Sequence, residues 1–407
     1  MATATTFNYV VRDRAGKTKA GTLDAPDQRA VAAKLRDMGM APVSITEKRE
    51  SALRADLSIP GFGPKVGLKD LAVFSRQFST MINSGLSLIR ALNILVDQTE
   101  NKKLAQILAE IRTDIEGGKG LSESLAQHEE FPKLFVAMVK AGEIAGMLDS
   151  VLLRIADTLE KDLELRRKIK SAMTYPVVVL IMAVILTAVM LVFIVPVFVG
   201  MFESLGGTLP LPTKVLLVLS SIVRRFWYVL VFVPIVGWRG FKFARKQPKI
   251  RHQLDVLKLK LPVFGNLFHK IALSRFTRNF GSLLRAGVPI LSSLEITAET
   301  VNNGVIADAV DDVKDAVREG DNVARPLAQH SVFPPMVVQM MAVGEETGAM
   351  DDMLMKISDF YDNEVTALTE SLTAMLEPLM IGVLGGIVGA MVIALYMPMF
   401  KIFELIQ

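Results

Sequence analysis

"VKAGEIAGMLDS" runs from Val139 to Ser150 and "MAVGEETGAMDD" from Met341 to Asp352, so one Gly-Glu-x-x-Gly phrase is written twice at an offset of 202 residues. Outward from the phrase, the offset holds without a gap. Phe74, Arg76, Phe78 and Gly85 fall on Phe276, Arg278, Phe280 and Gly287, and Ala126-Gln127-His128 falls on Ala328-Gln329-His330. Phe131-Pro132 falls on Phe333-Pro334, while Pro176, Pro196 and Phe198 fall on Pro378, Pro398 and Phe400. One register kept this far marks a duplicated structural unit, with copies running from Leu71 to Gly200 and from Leu273 to Ile402.

Within each copy the apolar spacing is helical. Leu71, Phe74, Phe78, Met81 and Ile82 form one stripe, reproduced by Leu273, Phe276, Phe280, Leu283 and Leu284. A second stripe, Leu148, Val151, Leu152, Ile155, Leu159 and Leu163, corresponds to Met350, Met353, Leu354, Ile357, Tyr361 and Val365. Both keep the i, i+3, i+4 recurrence of an amphipathic helix. Gly85, "EGGKG" and Phe131-Pro132 interrupt the pattern as helix breakers do. Each copy is therefore expected to be a bundle of amphipathic helices whose last helix leads into an apolar run.

Those runs have membrane length. No Asp, Glu, Lys, Arg or His occurs from Ser171 to Phe202 or from Pro378 to Phe400, and both exceed the roughly 20 residues that cross a hydrocarbon layer. A third candidate, Phe226 to Trp238, has only 13 uncharged residues. It reaches spanning length if extended to 220–243, with Arg224 and Arg225 at one interface and Arg239 and Lys242 snorkelling to the other. The composition agrees, since 51% of the chain is hydrophobic.

Orientation follows from Lys and Arg. "LELRRKIK" (Leu163 to Lys170) precedes the first run and "WRGFKFARKQPKIR" (Trp238 to Arg251) follows the second, which puts both flanks in the cytoplasm. Two direct copies can face one side only if the unrepeated middle span carries the chain back. The expected fold is mainly α: a polytopic membrane protein with two homologous cytoplasmic helical bundles, three transmembrane helices and a small N-terminal α/β module. The divisions are the module at 1–48, a linker at 49–67, the first bundle at 68–172 and transmembrane helix 1 at 173–202. An external loop follows at 203–219, then transmembrane helix 2 at 220–243, the second bundle at 244–375, transmembrane helix 3 at 376–400 and an external tail at 401–407. The N-terminus, without a basic start and apolar run, is expected to stay in the cytoplasm. In the module, "FNYVVRD" and "TKAGTLDA" read as a hairpin, "PDQRAVAAKLRDMGM" as a helix starting at Asp27, and "APVSITE" as a strand.

Signals for chemistry are few. With no cysteine, disulfides, thiolate catalysis and cysteine-ligated metal are excluded. A net charge of +4, concentrated beside the apolar runs, gives no reason to expect nucleic acid. "AGKT" (Ala15 to Thr18) lacks the upstream glycine of a phosphate loop, having Val11 there. His128, His252, His269 and His330 fit no metal spacing, no G-x-S-x-G is present, and neither long run holds a group for an ion relay. No cofactor is expected. The candidate site is the repeated phrase itself: Gly142, Glu143, Gly146 and Asp149 with Gly344, Glu345, Gly348 and Asp351. On one reading Gly146 ends a helix in the left-handed conformation and Asp149 caps the next. On the other, Glu143 and Glu345 also contact a partner, or an ion at a subunit seam. A basic belt of Arg166, Arg167, Lys168, Lys170, Arg239, Lys242, Arg245 and Lys246 suits anionic lipid headgroups.

"KVGLKDLAVFSRQFSTMINSGLSLIRALNIL", "SRFTRNFGSLLRAGVPILSSLEI", "FPPMVVQMMAVGEETGAMDDML" and "LEPLMIGVLGGIVGAMVIALYMPMF" resemble the platform proteins of type IV pilus and type II secretion machines, the PilC/GspF family, over essentially the whole chain. The "FPPMVVQMMAVGEETG" form leans to the pilus branch. The resemblance implies a non-enzymatic scaffold in the bacterial inner membrane. It would bind the hexameric assembly ATPase and possibly a retraction ATPase, help load pilins, meet inner-membrane alignment proteins and form a small homo-oligomer. A secretion platform is the alternative, and an oligomeric transporter the remote one.

Overall fold

The computed structural model describes residues 5–12, 18–25, 28–37, 41–47, 65–204, 210–244, 247–262 and 264–405, divided between a unit ending at Lys65 and one beginning at Val66. The first unit holds β1 (Thr5–Arg12), β2 (Thr18–Ala25), α1 (Gln28–Asp37) and β3 (Ala41–Glu47). The strands form an antiparallel sheet in the order β2-β1-β3, with Phe7 opposite both Leu23 and Glu47 and an irregularity between Val10 and Val11. Val31 and Leu35, one turn apart on α1, are buried with Ala25. Pro26, Asp27, most of the Ala15–Thr18 turn, Lys48 at the end of the expected module and linker residues 49–64 lie outside the described residues.

The second unit is helical. Its first bundle comprises α2 (Leu68–Asn83), α3 (Leu88–Gln98), α4 (Lys102–Glu116), α5 (Leu121–Ala126), α6 (Lys133–Ala145) and the start of α7 (Leu148–Val189). After α7 come a π-helical turn at Met190–Ile194, α8 (Val195–Ser204), α9 (Leu211–Arg225), α10 (Trp227–Ala244) and α11 (Pro248–Lys260). The second bundle is α12 (Phe264–Arg285), α13 (Ile290–Thr300), α14 (Gly304–Arg318), α15 (Ala324–Leu327), α16 (Pro335–Thr347) and α17 (Met350–Leu405).

The repeat is reproduced in local chemistry, not only in helix order. Asn101 Oδ1 caps α4 by accepting from the Lys103 and Leu104 amides, and Asn303 caps α14 through Val305 and Ile306, each satisfying two amides that a helix start leaves free. In the first core Phe74 packs on Phe78 and Phe131 with ring centroids 5.4 and 5.9 Å apart. The second core repeats this with Phe276, Phe280 and Phe333, while Val337 replaces the fourth ring, Phe135.

The expected divisions at 172/173 and 375/376 are not breaks. α7 and α17 each run unbroken from bundle into apolar segment, with Pro176 and Pro378 carried inside the helices. The described residues contain two helices long and apolar enough to cross a membrane, Leu148–Met201 and Met350–Met397. The π-helical turn lies just before Pro196, whose ring would clash with the Val192 carbonyl in a regular turn. The expected second span also differs. Ser220 lies inside α9, the helix breaks at Phe226 (φ −116°, ψ 25°), and Arg224 and Arg225 end α9, where positive charge suits the helix dipole. α9 is pinned to its neighbours by Thr213 Oγ1 donating to the Ala394 carbonyl at 2.6 Å and Ser220 Oγ to the Leu191 carbonyl at 2.5 Å. The expected tail at 401–407 begins as helix, since α17 continues to Leu405.

The two bundles share a seam. Leu283, Ala286 and Val288 of the second copy are buried in the core of the first. Thr158 and Ser282 hydroxyls meet at 3.1 Å, Arg154 donates to the Arg285 carbonyl, and Lys133 pairs with Glu299 and Lys161 with Asp359 across it.

Candidate functional site

The paired Gly-Glu turns divide their labour residue by residue. α6 ends at Ala145, and Gly146 turns the chain at φ 66°, the left-handed region that costs a residue with Cβ about 1 kcal/mol or more. Around it the Met147 amide donates to the Gly142 carbonyl at 2.8 Å and the Gly146 amide to the Glu143 carbonyl at 3.3 Å, a Schellman closure. Gly348 (φ 69°) repeats the turn, with Ala349 donating to Gly344 at 2.8 Å. The first glycine of each phrase serves close approach: a Cβ on Gly142 would stand 2.9 Å from Val151 Cβ, and one on Gly344 2.8 Å from Met350 Cα.

Each glutamate reaches back along the chain to hold a helix start. Glu143 Oε1 accepts from the Leu121 amide at 2.7 Å, and Oε2 accepts from the Ser122 amide at 3.1 Å and the Ser122 hydroxyl at 2.6 Å. Glu345 does the same for Val323 (2.8 Å) and Ala324 (3.2 Å). Partial burial pushes the Glu143 carboxyl up, but the Ser122 hydroxyl and the Ser122 and Leu121 amides together outweigh it and hold the group below its ordinary value.

Sequence and structure part at Asp149. The expected helix cap is not made by its side chain; Met147 precedes α7 with no side-chain cap, and Asp149 lies in the first helical turn, where a carboxylate still favours the dipole. Its counterpart Asp351 accepts from Arg285 Nε at 3.2 Å. The oxygens of Glu143 and Glu345 are taken up by amides, and no group of three His, Asp or Glu among the described residues could hold a metal. In the basic belt, Arg166 is bound to Asp162 at 3.0 Å and Lys168 to Glu164 at 3.0 Å, so neither is simply turned to lipid. Arg167, Lys170, Arg239 and Lys242 are exposed, with Lys242 Nζ 3.9 Å from the Trp238 ring centre. Arg245 and Lys246 lie outside the described residues.

The family model described as type II secretion system (T2SS), protein F matches residues 74–196 and again 276–398. The chain belongs to the type II secretion system protein F family. The N-terminal domain of protein F also matches, at residues 1–46. Among curated relatives, the chain is 46% identical to the type IV pilus assembly protein PilC of Thermus thermophilus over 97% of its length and 98% of the relative's. It is 42% identical to PilC of Myxococcus xanthus over 98% and 96%. It is 34% identical to type II secretion system protein F of Xanthomonas campestris over 97% and 98%.

Each protein F unit thus begins inside α2 or α12 and ends in the apolar helix beyond its turn. Sequence reasoning missed the seam between the two units and the polar groups within it. Arg76 and Arg278 are equivalent in sequence, yet Arg76 is 35% exposed and Arg278 1% exposed. The only available signal was the unequal polarity of matched positions, such as Val73 against Arg275.

Proposed function

We propose that this chain is the inner-membrane platform of a type IV pilus machine, a scaffold without catalysis of its own. Its two bundles face the cytoplasm and receive the hexameric assembly ATPase and, in turn, a retraction ATPase. Motion of the bundles passes along α7 and α17 to the membrane, where pilins are inserted. Alignment proteins of the inner membrane, anionic lipids and further copies of the chain are its other partners. The paired turns, where Ile144 beside Glu143 is 80% exposed, form the surface we assign to a partner or second subunit. The pilus reading rests on the names and identities of the relatives, 42–46% for the two PilC proteins against 34% for the secretion protein. A type II secretion platform is the second reading.

One observation carries the topology. Leu283, Ala286 and Val288 are buried in the core of the first bundle, which requires both bundles to lie on the same side of a bilayer. α7 leaves that side, so the chain must return before α12. α10, with 18 residues or about 27 Å of helix, is the apolar segment positioned to do so. On this reading the chain crosses three times, and the Lys- and Arg-rich flanks of the first two apolar runs favour a cytoplasmic N-terminus and an external C-terminus.

Because the chain has no cysteine, single substitutions report single positions. In spheroplasts, Leu211→Cys is expected to react with a membrane-impermeant maleimide and Glu319→Cys only after permeabilisation. Labelling of Glu319→Cys from outside defeats the topology. Photocrosslinkers at Ile144 and Glu346 are expected to capture the ATPase, and deletion to abolish surface pili. Intact pili with lost protein export would instead favour the secretion reading.

A further inference from the structure

The seam contains a concentration of guanidinium groups that the fold does not consume. A cleft of about 580 Å³ opens where α7 of the first protein F unit meets α12 of the second, and Arg166, Arg275 and Arg278 all line it. The three share two carboxylates. Asp162 accepts from Arg166 at 3.0 Å and stands 3.3 Å from Arg275, while Asp362 pairs with Arg278 on the far side. A cationic excess therefore remains at the cleft. Arg278 is 1% exposed, and its Nε and Nη1 have no hydrogen-bond partner; Arg275 Nε has none either. Buried donors are ordinarily paired.

The first protein F unit shows what pairing would look like. There Arg76 forms a fork with Glu160, Nε to Oε1 at 2.8 Å and Nη2 to Oε2 at 2.5 Å, and Nη2 also donates to Asp157 at 2.5 Å. In place of Glu160 the second protein F unit has Asp362, one methylene shorter, and Asp359, the counterpart of Asp157, is bound to Lys161 instead. The guanidinium is left with its fork half-filled. The other two arginines are not products of the repeat at all. Val73 occupies the place of Arg275 in the first unit, and Leu368 the place of Arg166 in the second. The excess charge is thus built specifically into the seam. Burial holds Arg275 below its ordinary pKa, and the charges of Arg166 and Arg278 push the same way against Asp162.

We propose that the seam cleft binds a phosphate group whose oxygens accept from Arg275 and Arg278 of the second protein F unit and from Arg166 of the first, so that the ligand bridges the two. Guanidinium forks match phosphate oxygens in geometry as well as charge. Asn279, one of whose Nδ2 hydrogens is donated to Thr300 Oγ1 at 3.0 Å, keeps a second N–H on the cleft wall. Lys133 and Glu299 close a neutral pair at 2.8 Å on its edge. A free phosphate compound or a lipid headgroup offers the same chemistry. The uncharged run of α7 begins at Ser171, five residues beyond Arg166, which brings the cleft within reach of headgroups.

The full chain would be placed in phosphatidylcholine nanodiscs and titrated with radiolabelled inorganic phosphate. In parallel, native mass spectrometry would count phosphatidylglycerol retained from mixed nanodiscs. One phosphate bound per chain supports the site with a soluble ligand; one retained phosphatidylglycerol supports it with a lipid. In either arm Arg275→Gln is expected to weaken binding at least tenfold and Arg275→Lys less, while Arg167→Gln, on the exposed side of α7, changes it less than twofold. If Arg278→Gln does not fold, the Arg275 pair decides. Absence of both ligands, or binding indifferent to Arg275→Gln, overturns the proposal.

Discussion

Replacing Glu143 by alanine removes one carboxylate that accepts three hydrogen bonds, from the Leu121 amide and from the Ser122 amide and hydroxyl, at 2.7, 3.1 and 2.6 Å. The hydroxyl can turn to water, so its loss costs little. The two amides belong to the first turn of α5, and losing such a cap costs about 1 kcal/mol, with the charge of the acceptor adding about another 1 kcal/mol. The side chain is partly solvated, which argues against a larger sum. Local opening of the 121–126 helix is therefore expected to become easier by about 2 kcal/mol, equivalent to amide exchange roughly 30-fold faster. Hydrogen exchange on the solubilised chain, read on peptides covering residues 117–127, measures this directly. Glu143→Gln keeps one acceptor oxygen and should raise exchange roughly fivefold, for about 1 kcal/mol. Unchanged exchange at Leu121 and Ser122 in the alanine variant would refute the reasoning. So would equal acceleration across the whole bundle, which would mean global rather than local opening.

The lowered carboxyl value of Glu143 carries a pH dependence of known sign. Its contribution is complete above the ordinary carboxylate value of 4.5 and is lost as pH falls below it through the folded value, so the protection of residues 121–122, taken as exchange relative to the intrinsic rate at each pH, should fall on acidification and do so less in Glu143→Gln. Gly344→Ala is expected to lower stability by about 1–3 kcal/mol, because its Cβ would lie 2.8 Å from the Met350 backbone and overpacking costs that much. Gly382→Ala, with open space around it, should leave the thermal midpoint in detergent where it is. Arg76→Ala should cost no more than about 1 kcal/mol, since Arg76, Asp157 and Glu160 are all substantially exposed; a larger shift would mean that the fork organises α2 against α7.

The duplicated register could be read from residues alone because it is dictated locally. Asn101 and Asn303 cap their helices through neighbouring amides, and Gly146 and Gly348 must lie at positive φ whatever surrounds them. The helix stripes were legible for the same reason: burial at helical spacing needs no knowledge of the partner. Reading failed where the partner was distant. Asp149 looked like a cap on sequence spacing, yet α7 begins one residue earlier and the side chain has no cap to make. Glu143 gave no hint that it would reach back 22 residues to α5. The break at Phe226 was hidden because the 13-residue uncharged run reaches spanning length only if it is extended upstream across Arg224 and Arg225, which instead end α9.

Composition and order thus determined by themselves that this chain has two like helical units, each continued into an apolar run of membrane length. Short-range hydrogen bonding, backbone stereochemistry and the aversion of apolar side chains to water act on neighbours, and they are written in the sequence. Only the tertiary structure decided that the two protein F units share one core through Leu283, Ala286 and Val288, and that matched arginines meet different fates, Arg76 half-buried and Arg278 buried. Two copies of one pattern can associate in many ways. The choice between them depends on surfaces far apart in the chain, where a valine against an arginine, or an aspartate against a glutamate, changes which faces fit.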